Sequence, residues 1–179
     1  MANGNELLNE KIERVAGEIE VAFDETDISK SDTCQYWAIL GATEMFSEKE
    51  GYYTKVVKGT LQARNKISDQ SIYFGSDNKS THFVTLMNRE GYENECYLID
   101  FGANYYASSR GTISIQKKPI VIKIDKEQYD LSKNVIKFED ENIEYIFSSD
   151  REYDSDAFKM NDLFGEIELN RLANSLFSN

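Results

Sequence analysis

Two alternating runs constrain the fold more than any other part of this chain: Thr81-His82-Phe83-Val84-Thr85-Leu86-Met87 and Cys96-Tyr97-Leu98-Ile99-Asp100-Phe101-Gly102. Side chains along a strand point to opposite faces in turn, so each run assigns its residues to two surfaces. A short Gly-containing connection, Asn88 to Glu95, joins them and predicts an antiparallel hairpin. With the loop centred on Gly91, His82 falls opposite Asp100, Val84 opposite Leu98 and Leu86 opposite Cys96, all on one face. Phe83, Thr85, Met87, Tyr97, Ile99 and Phe101 share the other. Both faces are apolar, which predicts central strands covered on both sides. The only histidine of the chain is thereby set beside a carboxylate, on a buried face that a helix is expected to cover.

A second stretch, Ser31-Asp32-Thr33-Cys34-Gln35-Tyr36-Trp37-Ala38-Ile39-Leu40-Gly41-Ala42, reads as a loop, a cap and the start of a largely apolar helix running to about Ser47. Asp32 or Thr33 can accept from the free amides of the first turn. Cys34 then sits at the positive end of the helix dipole, where thiolate is favoured and the amides can hold an oxyanion. The plain alternative is an inert small residue at the head of a core helix.

The rest of the chain surrounds these two stretches. Leu7, Leu8, Ile12, Val15, Ala16, Ile19 and Phe23 recur at helical spacing and predict an amphipathic helix of about five turns. Strands are expected at Tyr53–Val57, Thr112–Ile115 and Ile120–Ile124, and Ser71–Phe74 fits a short strand or a loop edge. A second hairpin is expected from Asn134–Phe138 and Ile143–Phe147. Gly59–Asn65 fits either strand or helix, and a last helix is expected over Lys159–Leu176. One proline and the lack of a low-complexity linker predict a single domain over residues 1–179. The fold class is α+β, with N- and C-terminal helices flanking a Cys-bearing helix on an antiparallel sheet.

Composition narrows the function. Asp and Glu outnumber Lys and Arg, 32 to 20, for a net charge of −12, which argues against nucleic acid or an anionic membrane surface as a partner. No apolar run approaches a membrane span and no export signal is legible at the N-terminus, so a cytoplasmic location is expected. The two cysteines, Cys34 and Cys96, make no disulfide framework, although one bond between them is compatible with the sequence. No Cys/His spacing suggests zinc. Asp150, Glu152, Asp154 and Asp156 alternate as in a calcium loop, without the glycine and terminal glutamate such a loop requires. Glu139-Asp140-Glu141 reads as a solvated turn, Asn104 as a loop residue, and Cys96 as core.

Cysteine at a helix start, histidine at a strand start and aspartate late in the next strand make a chemically coherent set. A thiol needs a base that later protonates the leaving group, imidazole does both near neutral pH, and a carboxylate fixes its tautomer. Carried on Thr33-Cys34-Gln35-Tyr36-Trp37, Thr81-His82-Phe83-Val84-Thr85 and Leu98-Ile99-Asp100-Phe101-Gly102, the layout resembles the papain-like and transglutaminase-like superfamily of cysteine hydrolases and acyltransferases. The resemblance spans roughly residues 30 to 125. It implies Cys34 as nucleophile, His82 as base and then acid, and Asp100 as the orienting group. It also implies a peptide or other amide-bearing substrate and no metal or organic cofactor. The chain departs from the pattern in having Gln35 directly after the cysteine and no glutamine shortly before it. A second oxyanion donor is therefore unassigned. The competing reading, from a different class, is a non-catalytic acidic immunity-type protein that binds a basic partner. The sequence says nothing of oligomeric state. Substrate choice is expected to lie in the loops Gly75–Ser80 and Asn104–Gly111.

Overall fold

The amphipathic repeat at the N-terminus folds as α1 (Gly4–Thr26) in the computed structural model, which describes residues 4–31, 33–75, 81–130, 135–149 and 163–177. Leu8, Ile12, Val15, Ile19 and Phe23 recur every three or four residues along it, and all five are buried on one stripe. The apolar segment after it forms α2 (Cys34–Met45), followed by a single 3₁₀ turn at Glu48–Glu50. The strands β1 (Tyr52–Asn65), β2 (Gln70–Phe74), β3 (His82–Arg89), β4 (Tyr92–Asp100), β5 (Tyr106–Ser108), β6 (Gly111–Ile113) and β7 (Ile120–Ile124) come next. A short α3 (Lys126–Asp130), the hairpin β8 (Val135–Glu139) and β9 (Ile143–Ser149), and α4 (Leu163–Phe177) complete the described chain.

The architecture is α+β. Seven strands form one antiparallel sheet in the order β7-β4-β3-β1-β9-β8, with β2 also on β1, and β5 and β6 make a separate small hairpin. The stretch Gly59–Asn65, open between helix and strand in the sequence, is strand. It extends β1 to fourteen residues, long enough to serve two sets of neighbours. Tyr52–Gly59 pairs with β3, whereas Gly59–Asn65 pairs with β9. Gly59 is the changeover point, and a Cβ there would lie 2.1 Å from the Ser148 carbonyl oxygen, so only glycine lets β9 approach.

The two faces of the sheet bury separate cores. On one, Met87, Tyr97, Ile99 and Phe101 pack with α1, α2 and Leu172 of α4. Thr85 Oγ1 donates to the Ala38 carbonyl (2.9 Å) and Thr54 Oγ1 to that of Ala42 (2.7 Å), which ties α2 to this face. On the other, Val84, Leu86, Cys96 and Leu98 join Ile120, Ile122 and Ile124 of β7 and Ile136 of β8. Since β7 and β8 are the two ends of the strand order, their shared core means that the sheet curls nearly closed around it. Among the described residues no helix is long and apolar enough to cross a membrane.

The hairpin differs from its expected register in an instructive way. Arg89 pairs with Tyr92 across a two-residue turn, with Gly91 at φ 78°, but the next rung is Asn88 with Cys96. Residues 93–95 are taken up in a bulge between those rungs. Regular pairing from the turn would have set His82 level with Ile99 and sent Asp100 to the helix side. The odd number of extra residues restores the alternation that buries Leu98 and Cys96 inside. Leu86 therefore lies opposite Leu98, not Cys96, and continuing the register sets Val84 level with Asp100. His82 and Asp100 share a face as expected, but as diagonal neighbours. The correction is a slide of two residues, which changes partners and preserves faces.

Candidate active site

The three residues singled out in the sequence stand at the ends of their elements. Cys34 opens α2, His82 opens β3 and Asp100 closes β4. Because β3 and β4 run antiparallel, the start of one lies beside the end of the other. His82 and Asp100 belong to the inner face of the curled sheet, not to the face that α2 covers. That corrects the expectation of a helix laid over the histidine: the thiol reaches the imidazole at the end of the sheet, past Thr81, to whose carbonyl Sγ makes a contact of 3.9 Å.

The imidazole and carboxylate are 0% and 1% exposed, so each needs a full set of partners. His82 Nε2 lies 2.6 Å from Asp100 Oδ2. The same oxygen accepts from the hydroxyls of Tyr106 (2.5 Å) and Tyr145 (2.8 Å), and Oδ1 accepts from the Gly102 amide (3.1 Å). The ring is held by Phe74, stacked at 5.3 Å between centroids, and by the edges of Tyr106 and Phe147. Burial works against the charged imidazole, but the Asp100 carboxylate and then Cys34 outweigh it and raise the pKa of His82 to about 10. Burial likewise works against the Asp100 carboxylate, and His82, Tyr106 and Tyr145 outweigh it to hold the carboxyl below its ordinary value. Both shifts favour an imidazolium facing a carboxylate. Since Nε2 is committed to Asp100, Nδ1 is the nitrogen left for the thiol, and it is buried without a completed hydrogen bond. Cys34 interacts with this ring, and Tyr106 and Tyr145 lie behind it on Asp100.

Local structure around Cys34 fits a partly exposed side chain on a firm base. Thr33 stands at the N-cap position, but its hydroxyl donates backward to the carbonyls of Ser29 and Lys30, so the expected side-chain cap is not made by Thr33. Its carbonyl accepts from the amides of Tyr36 and Trp37. The amides of Cys34 and Gln35 have no acceptor among the described residues. Asp32, the other expected cap, lies outside the described residues. Trp37 anchors the approach to Cys34 by donating Nε1 to the Lys30 carbonyl and by stacking between Phe23 and Tyr105. Cys34 opens into a pocket of about 430 Å³, walled by Trp37 and Tyr105 on one side and by Phe74 and Tyr106 on others.

The remaining sequence candidates have structural roles or fall elsewhere. Cys96 is fully buried in the inner core, and both cysteines are free, so the sequence-compatible disulfide does not form. Asn104 accepts from Ser114 Oγ and braces the loop before β5. Asp140 accepts from the amides of Asn142 and Ile143, which makes residues 139–141 the turn they were expected to be. The alternating acidic residues 150–156 lie outside the described residues. Among the described residues no His, Cys, Asp and Glu side chains cluster as metal ligands do. Tyr106 and Tyr145 were missed in the sequence. Tyr145 had a signal: it takes an inward position in the alternating run Ile143–Phe147, where a buried hydroxyl needs a partner. Neither a protein-family model, a curated protein nor a solved structure matches this chain.

Proposed function

We propose that the protein is a thiol hydrolase or acyltransferase that opens an amide or isopeptide-type bond through a thioester on Cys34, in the manner of the papain-like and transglutaminase-like enzymes. The observation that carries this reading is the join of two halves: a half-exposed cysteine facing a pocket, and a fully buried His82–Asp100 pair whose remaining ring nitrogen is left for that cysteine. A buried imidazolium held by four-donor support of its carboxylate is a costly arrangement for packing alone.

The chemistry follows from those positions. The imidazolium supplies the counter-charge that a Cys34 thiolate needs. Sulfur attacks the acyl carbon and forms the C–S bond, and the carbonyl electron pair moves onto oxygen, beside the amide of Cys34. As that pair returns, the C–N bond breaks and Nδ1–H of His82 protonates the departing amine. Neutral His82 then takes a proton from water, or from an acceptor nucleophile, as it attacks the thioester. Thiolate leaves and the imidazolium is restored. Throughout, Asp100 keeps the Nε2–H in place and the ring in its orientation.

The test is the pH-dependent alkylation of Cys34 by iodoacetamide in the folded protein, followed by a panel of amide, isopeptide and ester probes with trapping of the covalent adduct. Rapid labelling at neutral pH, slowed at least tenfold by His82→Ala, supports the enzyme. A Cys34 that resists every electrophile until the chain is unfolded would leave the acidic binding protein as the better account.

A further inference from the structure

The pocket in front of Cys34 carries an unusual chemistry for this chain. Asp, Glu, Lys and Arg make up 29% of the sequence, yet none of them is among the described residues lining the pocket. Its walls are rings and small groups. Trp37 and Tyr105 lie nearly parallel, with 11° between their planes and 5.4 Å between centroids, and present a continuous aromatic surface. Phe74, itself stacked on His82, and Tyr106 add two more rings at the catalytic end. Lys30, which stands over the Tyr105 ring, is already paired with Glu20 and Asp24. An ionic group entering the pocket would leave water and find no counter-ion among the described lining residues. A neutral ring would leave water and find faces and edges to pack on.

We propose that this pocket selects substrates by an uncharged, ring-bearing or large apolar group next to the bond that Cys34 attacks, and rejects analogues bearing a carboxylate or an ammonium there. The inference rests on the thiol reading above and gives it a substrate class. An acidic protein with a uniformly acidic cleft would instead draw cationic substrates, so here the surface charge and the site's preference are separate properties.

The experiment uses three chloroacetamides that differ only in the amide substituent: benzyl, a carboxylate-bearing chain and an ammonium-bearing chain. Iodoacetamide, small and neutral, reports the intrinsic reactivity of Cys34. The benzyl probe is expected to alkylate Cys34 at least about tenfold faster than either charged probe, the discrimination an apolar pocket supplies. In Ala107→Asp or Ser109→Asp, each adding a carboxylate to the lining, the benzyl preference should collapse and the ammonium probe should gain. Either variant suffices, which covers the failure of one to fold. Equal rates for the three probes, with iodoacetamide still fast, would overturn the pocket's role and leave the thiol chemistry standing. A preference for a charged probe in the unsubstituted protein would do the same. Failure of iodoacetamide itself to label the folded protein would overturn both.

Discussion

Tyr145→Phe removes a single oxygen from the most enclosed part of the site. That hydroxyl donates 2.8 Å to Asp100 Oδ2, and both side chains are almost entirely buried. The phenyl ring stays, so no cavity opens and the loss is one hydrogen bond to a carboxylate. Such bonds contribute roughly 1.5–3 kcal/mol. Asp100 keeps three other donors, from His82, Tyr106 and Gly102, so we expect a loss of about 2 kcal/mol at pH 7. The pH dependence has a definite sign. Burial alone would raise the Asp100 pKa, but His82 and the two tyrosines hold it below the ordinary value. A carboxyl lowered in the folded state stabilises above its unfolded pKa, about 3.9, and that contribution disappears as pH falls through the folded value. The gap between wild type and variant should thus be constant from about pH 5 to neutrality and begin to close only below about pH 4. Urea unfolding at a series of pH values measures it. A gap under about 0.5 kcal/mol at pH 7, well below the roughly 1.5 kcal/mol lower bound for a charged hydrogen bond, would refute the bond. A gap that stays equally large at a pH low enough to protonate Asp100 in both folded proteins would refute its dependence on the ionised carboxylate.

Other expectations follow from the same geometry. The His82 pKa is raised by Asp100 and Cys34 against the effect of burial, so its stabilisation is complete below the unfolded value near 6.5 and is lost as pH rises through about 10. The urea midpoint should fall between pH 7 and pH 10, and His82→Gln should flatten that slope. Gly41→Ala sets a gain in helix propensity of about 1 kcal/mol against a Cβ 2.2 Å from the Phe101 ring. Overpacking costs roughly 1–3 kcal/mol, so the variant should be destabilised on balance, as a thermal melt would show. Gly59→Ala meets the Ser148 carbonyl rather than a movable ring and should cost at least as much. Cys34→Ala should abolish any turnover and leave the unfolding free energy measured in urea within about 1 kcal/mol of wild type, because the thiol is only partly buried and its polar contacts, to the Thr81 carbonyl and the His82 ring, are weak ones.

Periodicity made most elements legible: the stripe of α1, the apolar α2, and the alternation that assigned His82 and Asp100 to one face. What it could not give was the partner of each rung. Register depends on the bulge at 93–95, and a bulge in an exposed hairpin tip leaves no trace in the apolar pattern. The length of β1 was hidden in its second half, since Gly59–Asn65 fits either strand or helix until its place between two neighbouring strands is known. The layering of the site was likewise out of reach. Both faces of β3 and β4 are apolar, so composition could not say which one α2 covers. The aromatic pocket depends on β2 and on residues 105–109 meeting in space. The sequence located the second of these only as a loop.

The placement of the thiol and imidazole in different layers has a mechanical consequence. Cys34 moves with α2, which is held by the helix-side core, whereas His82 and Asp100 are locked into the inner core by Tyr106, Tyr145 and Phe74. Docking of α2 acts as a clutch between the two. Local openings of a docked helix lie below the global unfolding free energy in many proteins. A slight undocking would part sulfur from nitrogen while the buried ion pair and the sheet stayed whole. In dilute urea the reactivity of Cys34 should then fade before the sheet's circular dichroism does, so that the thiol reports the seating of a helix rather than the melting of the fold.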